Sequence, residues 1–191
     1  MVKHIKSRIT IGASENTHKK LKDIPRGETF KHCGYEWIIL EHDEKNRTLV
    51  LTKDIIGKMP FNKNNCNNWV KSSLRKYLNG EFLKEMCGKS SAFSQGFRSF
   101  TIDLTADDGL KDYGEAIDMV SLLTCDLYRK HRNILEPIDE WWWLATPYST
   151  LAANSCLVRN VSTDGTLYYD NAYNRNKGVR PLCYMSSEIF V

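Results

Sequence analysis

Nothing in this sequence approaches the roughly 20 consecutive apolar residues that a membrane-spanning helix needs, which predicts a soluble chain without membrane contact. The start, Met1-Val2-Lys3-His4-Ile5-Lys6-Ser7-Arg8, is basic, but no apolar segment follows it. A secretory leader is therefore not visible, and a cytoplasmic location is expected. No Cys-x-x-Cys pair occurs among the cysteines at 33, 66, 87, 125, 156 and 183, and the histidines supply no zinc spacing. Free, mostly buried thiols are expected, and Cys156 and Cys183, each in an expected strand, are the first candidates for neighbours in space. Asp103, Asp107, Asp108 and Asp112 lack both the Asp-x-Asp-x-Asp-Gly cadence and the terminal Glu of a calcium loop. No Ser-His-Asp order, phosphate loop or paired-carboxylate spacing is present, so no catalytic residue, metal or cofactor is assigned. No internal repeat is apparent either.

What is present is an ordinary globular composition with a small basic excess, net charge +4. The excess lies at the front, where Lys3, Lys6, Arg8, Lys19, Lys20 and Lys22 face Glu15 alone. Residues 1–23 read as a basic N-terminal arm and 24–191 as one domain. Such an arm can touch phosphate, but most are simply solvated, so nucleic acid is not the favoured partner.

Along the domain, 28–32, 35–41 and 48–52 read as a three-stranded meander with turns at Cys33-Gly34 and 43–46. Residues 55–68, with Asn62, Asn64, Asn65, Asn67 and Asn68, have loop composition. Asn68 is placed to cap a helix over 69–78, Asn79-Gly80 to close it, and 81–87 to add a further turn. Strands are expected at 100–104 and, fully buried, at 116–123; Thr124 caps a helix from Cys125 to about His131. Regular alternation of strand and helix is absent. The class is therefore α+β, a mostly antiparallel sheet with two short helices and a strand-rich C-terminal third.

That last third is built around 141–181. Trp141-Trp142-Trp143-Leu144-Ala145-Thr146-Pro147 is too aromatic to remain in water. Asp164-Gly165 between two extended runs predicts a hairpin with a type I′ turn. The polar run 171–177 follows, and Gly178-Val179-Arg180-Pro181-Leu182-Cys183-Tyr184-Met185 reads as a closing strand. Trp37, Trp142, Trp143, Asp164, Gly165, Gly178, Arg180 and Pro181 are read as structural. A buried arginine is costly unless paired, so Arg180 is expected to lock the last strand against an acidic or backbone acceptor.

The motifs Trp142-Trp143-Leu144-Ala145-Thr146-Pro147, Asn160-Val161-Ser162-Thr163-Asp164-Gly165 and Gly178-Val179-Arg180-Pro181 resemble a family of bacterial and phage domains of unknown function. Gly34-Tyr35-Glu36-Trp37 and the stretch from Ser73 to Phe82 resemble its opening strand and helix, and the likeness covers about 24–186. Ala145 departs from the arginine usual there, and Leu182-Cys183 from the usual Ala-Leu. The resemblance implies a C-type-lectin-like fold, similar to the variable proteins diversified by retroelements. In those, polar and aromatic positions near the C-terminus form a display surface. Here these positions are Tyr148, Ser149, Asn154, Tyr168, Tyr169, Asp170, Asn171, Tyr173, Asn174, Arg175 and Asn176. The implied function is a non-enzymatic binding domain, phage- or prophage-encoded, contacting a protein partner such as a host defence factor, or a glycan. The implied site of action is the host cytoplasm or the virion surface. Two alternatives are a calcium-dependent lectin, for which Glu136-Pro137-Ile138 fails at its third position, and a formylglycine-generating type of oxidase, which needs a close cysteine pair.

Overall fold

A computed structural model describes residues 18–191; residues 1–17, and with them Lys3, Lys6 and Arg8 of the expected arm, lie outside the described residues. The chain is α+β with antiparallel sheets. Strands β1 (Thr29–His32), β2 (Tyr35–His42) and β3 (Arg47–Thr52) form the expected meander. The closing strand β10 (Leu182–Ser186) inserts between β3 and the short β4 (Phe97–Arg98), completing a five-stranded sheet in the order β1-β2-β3-β10-β4. Strands β5 (Phe100–Asp103) and β6 (Glu115–Asp118) make a two-stranded ribbon. A separate three-stranded sheet runs β7 (Trp142–Pro147), β8 (Leu157–Val161), β9 (Leu167–Asn171).

The core begins ahead of Ile24. Leu21 is fully buried, its N–H donates to Ile189 O, and Lys20 and Lys22 both pair with Glu188 at 2.7 Å. Part of the segment read as an arm is thus packed against the C-terminal residues.

The helical region differs from expectation in both its caps. Asn68 makes no side-chain cap; Ser72 does, accepting from the N–H of Arg75 at 3.0 Å to start α1 (Ser73–Tyr77). Nor does Asn79-Gly80 stop the helix, which passes through a π turn at Leu78–Phe82 into α2 (Leu83–Cys87) and ends at Gly88, φ +58°. Tertiary contacts override the local stop signal. The Asn79 side chain accepts from the N–H groups of Met119 and Val120 and donates to Val120 O, while Leu78 and Phe82 are buried. The buried strand expected over 116–123 is regular only as β6, where Ile117 faces solvent; beyond it Ser121 bridges to Leu182.

Helix α3 (Cys125–His131) starts on the Thr124 cap, as its sequence predicts. His131, its last residue, is fully buried and faces Arg26, Lys130 and Glu41; its Nδ1 lies 3.2 Å from the Arg26 guanidinium. Burial lowers its pKa below the usual 6.5, the nearby Glu41 carboxylate opposing this only in part. The folded state therefore holds a neutral imidazole where the unfolded chain, below about pH 6.5, binds a proton. The stability it contributes is present above that pH and is lost as pH falls toward the folded pKa. The melting temperature should drop between about pH 7.5 and about pH 5.5, and His131→Gln should flatten that slope. Identical slopes in the two proteins would refute the assignment.

Candidate functional site

All six residues of β7 are buried, so its side chains form the base of the C-terminal sheet. The Trp143 ring meets Phe61 edge-on at 6.0 Å and its Nε1 donates to Met59 O at 3.0 Å; Trp142 packs on Tyr128 at 5.7 Å. Gly178 bridges to both Trp142 and Lys58, and a Cβ there would collide with the Ile55 side chain. Close packing of the Ile55 side chain, with no left-handed φ, requires glycine at this point. Arg180 is 1% exposed and donates from Nε to Thr52 O at 3.1 Å and from a terminal nitrogen to Lys53 O at 2.7 Å, its guanidinium 4.8 Å from the Trp142 ring centre. The lock uses backbone acceptors, and desolvation lowers the pKa of Arg180 to about 10. Pro181, also buried, accepts from Thr52 N–H. Trp37 lies fully buried in the other sheet, and Ala145 is buried in β7.

The β8–β9 hairpin forms, but its turn is not type I′. Only Gly165 takes positive φ, +81°; its N–H donates to Ser162 O and the Ser162 N–H donates to Thr166 O, the three-residue form with glycine at the left-handed position. The true two-residue turn with positive φ at both positions is Cys33-Gly34, at +48° and +81°. Asp164 holds the hairpin tip by accepting from the Ser162 hydroxyl and from the N–H and hydroxyl of Thr166, which bring its carboxyl down to about 2.

Strand β9 is the outer edge of this sheet, and its alternation sends successive side chains to opposite faces. On one face Tyr168 meets Trp141 edge-on at 5.2 Å; Lys177 lies 4.3 Å over the Trp141 ring and pairs with Asp170 at 3.1 Å. On the other, Tyr169 packs on Tyr148 at 4.7 Å, and the Arg159 guanidinium lies over both rings, at 5.9 Å and 4.8 Å. Asp170, Asn171, Tyr173, Asn174, Arg175 and Asn176 line one shallow depression of about 400 Å³ past the end of the strand. Asn174 is fixed by donating to Asp170 at 2.8 Å.

Two expected contact residues are not surface features. Ser149 is 1% exposed, with its hydroxyl accepting from Leu151 N–H; Asn154 is half-buried, and its carbonyl accepts from Asn67. Asn67 itself was hidden among the loop asparagines. It is fully buried, its amide nitrogen donates to the carbonyls of Ser149, Asn154 and Leu157 at 2.8–3.1 Å, and its oxygen accepts from the Tyr113 hydroxyl. This one side chain fastens the 55–68 loop to the sheet that carries the tyrosines.

Arg159 and its ion cluster were also not foreseen. Asp107 pairs with Arg159 and with Arg129, the latter at 2.8 Å. Burial pushes the Asp107 carboxyl up, but hydrogen bonds from the two guanidinium groups outweigh it and hold the group below its ordinary range.

Residues 103–187 match a family model described as a domain of unknown function, DUF6273. No curated protein and no solved structure matches the chain. The matched stretch holds the three-stranded sheet and β10, whereas the meander and α1–α2 lie outside it. It is shorter than the 24–186 extent of the sequence likeness.

A second concavity, about 480 Å³, lies between β5 and α3 and is lined by Phe100, Ile102, Asp107, Cys125, Arg129 and Tyr184 among others. Burial pushes the Cys125 thiol up to about 12, so it is not a thiolate nucleophile at neutral pH. Cys156 and Cys183 are both free: Cys183 sits in β10, while Cys156 precedes β8 in the other sheet. The four aspartates of 103–112 scatter their bonds, Asp103 to Thr105, Asp107 to the arginines, Asp108 to Leu110 N–H and Asp112 to Thr150. Among the described residues no three His, Cys, Asp or Glu side chains converge as metal ligands do, and no helix is long and apolar enough to cross a membrane.

Proposed function

We propose that this chain is a non-enzymatic recognition domain that grips a protein partner through the side-chain faces of β9 and the 171–176 turn. One observation carries the reading: Tyr168, Tyr169 and Tyr173 are 51%, 51% and 53% exposed on a strand and turn that pair along β8 and rest on the buried β7. A half-exposed tyrosine on a fixed backbone offers large contact area at small entropic cost, and neighbouring asparagines adapt their hydrogen bonds to what arrives. Arg159, over Tyr148 and Tyr169, and Lys177, over Trp141, are paired with Asp107 and Asp170 and stiffen the platform from which the tyrosines project. A glycan is the alternative partner, since exposed rings beside Asp170 and Asn174 also suit a sugar face.

The C-type-lectin-like fold, the phage or prophage origin and a cytoplasmic or virion location belong to the same proposal and rest on the resembling motifs. The scattered bonds of Asp103, Asp107, Asp108 and Asp112 favour this reading over a calcium-dependent lectin. Cys183 lies within β10 while Cys156 precedes β8 of the other sheet, which favours it over a copper oxidase of the formylglycine-generating type.

The test compares the wild-type chain with a Tyr168→Ala, Tyr169→Ala, Tyr173→Ala variant as bait in bacterial host lysate and on a glycan array. A protein captured by the wild type should be lost from the variant, with the melting temperatures within about 3 °C because the removed rings are surface groups. Equal capture by both, or capture by neither beside a glycan hit that the variant loses, would remove the protein reading.

A further inference from the structure

Two residues of β9 leave their main-chain groups without partners. The hairpin bonds at Ser162–Thr166 and Cys156–Ala172 fix the alternation of the β8–β9 ladder. In an antiparallel pair, alternate residues bond inward and the rest point outward. Thr166, Tyr168, Asp170 and Ala172 therefore bond to β8, while Leu167, Tyr169 and Asn171 direct their N–H and C=O groups off the open edge. Asn171 is already satisfied, its N–H donating to the Asp170 carboxylate at 2.7 Å and its C=O accepting from Asn174 N–H at 2.9 Å. No main-chain bond engages the outward groups of Leu167 and Tyr169 among the described residues. Natural edges are usually protected by proline, lysine or a bulge. Leu167-Tyr168-Tyr169 has none of these, and its register against β8 runs without a break.

We infer that this edge pairs with the same edge of a second copy, antiparallel about a twofold axis through Tyr168. That register sets Leu167 of each copy opposite Tyr169 of the other, and it is the only one in which every open donor and acceptor finds a partner. Tyr168 then faces its own symmetry mate as a non-hydrogen-bonded aromatic pair, the closer of the two antiparallel arrangements. Asp170 falls opposite Thr166, so no like charges oppose each other along the edge.

The ends of the edge are complementary in charge. Asp164, at the hairpin tip, is exposed and makes no ion pair among the described residues; Arg175, beyond the far end, is exposed and likewise makes none. Antiparallel docking brings the tip of one copy beside the 171–176 turn of the other, setting each Asp164 near an Arg175. Such an interface is self-complementary, as a twofold contact must be. It joins the two three-stranded sheets into one continuous sheet and leaves much of each tyrosine face open. The short edge limits its strength, so the association is concentration-dependent rather than obligate. The recognition reading stands whether or not the chain pairs.

Sedimentation velocity over a concentration series, together with amide exchange resolved by NMR, tests this on the full chain. A dimer should form at high concentration, and exchange at Leu167 and Tyr169 should slow with it while Tyr168 and Asp170, already bonded to β8, change little. Tyr169→Pro removes an outward N–H that the internal ladder does not use, a substitution edge strands tolerate. It should weaken association about tenfold or more. Arg175→Glu alters an exposed side chain with no internal bonds, so it keeps the fold, and it should weaken association several-fold and reverse its dependence on salt, because the introduced carboxylate repels Asp164. A monomer at every concentration would overturn the inference. So would a dimer in which the Leu167 and Tyr169 amides stay unprotected, or one whose strength Arg175→Glu leaves unchanged.

Discussion

Replacing Asn67 by alanine is expected to lower stability by about 3 kcal/mol and the melting temperature by about 10 °C, more than any surface change in this chain. The side chain is fully buried, and its removal strands the carbonyls of Ser149 and Asn154 and the hydroxyl of Tyr113, while Leu157 O loses one of two donors and keeps Tyr148 N–H. A buried polar group left without a partner costs about 1–3 kcal/mol, and water entering the vacated space recovers part of that. Asn67→Asp should be worse than Asn67→Ala, because a carboxylate cannot donate and would set a charge against three carbonyl oxygens. Tyr113→Phe, which removes a single bond from the same group, should cost only about 1 kcal/mol. Urea unfolding of the three variants checks the order. Equal stabilities for wild type and Asn67→Ala would mean that packing and the main-chain bonds of Ile56, Met59, Asn62 and Asn67 hold the loop to the C-terminal segment without this side chain.

Arg180→Met is expected to destabilise by about 2 kcal/mol, and here two effects oppose each other. Burying a guanidinium with no carboxylate in contact is expensive, as its depressed pKa records, so a methionine of similar length recovers desolvation energy. Against that, the carbonyls of Thr52 and Lys53 lose charge-assisted donors, and Trp142 loses the cation over its face. Two bonds to a charged group, each worth about 1.5–3 kcal/mol, outweigh the recovered solvation because Thr52 O remains in a buried residue after the change. Arg180→Lys should rescue little, since an ammonium cannot span two successive carbonyls in one plane with its stem packed on an indole. A variant as stable as wild type would show that desolvation dominates.

The parts of the fold legible in the sequence were those governed by local chemistry. The β1–β2–β3 meander followed from an apolar centre at Trp37-Ile38-Ile39-Leu40 bracketed by turn residues, and α3 from the Thr124 cap. The tyrosine-bearing hairpin followed from Asp164-Gly165, although Asp164 spends its carboxylate on Ser162 and Thr166 instead of adopting positive φ. What failed was set by contacts distant in sequence. Gly80 does not end its helix because Asn79 is tied to residues 40 and 41 positions away. Ser149 reads as surface by residue type, yet the Asn67 clamp draws its loop inside. Nothing in a run of asparagines distinguishes the one that donates to three carbonyls. Likewise, no spacing rule couples Arg159 to Asp107, which lie 52 residues apart.

The two-residue period of β9 constrains how such a surface changes over generations. Because Tyr168 and Tyr169 emerge on opposite sides, inserting or deleting one residue between Thr166 and Ala172 would exchange the sides and drive Leu167 or Asp170 into the wrong environment. Point replacement at 168, 169 and 173 leaves the supporting bonds untouched. On the proposed recognition reading, descendants of this chain would acquire new specificities by swapping letters there, not by altering the segment's length.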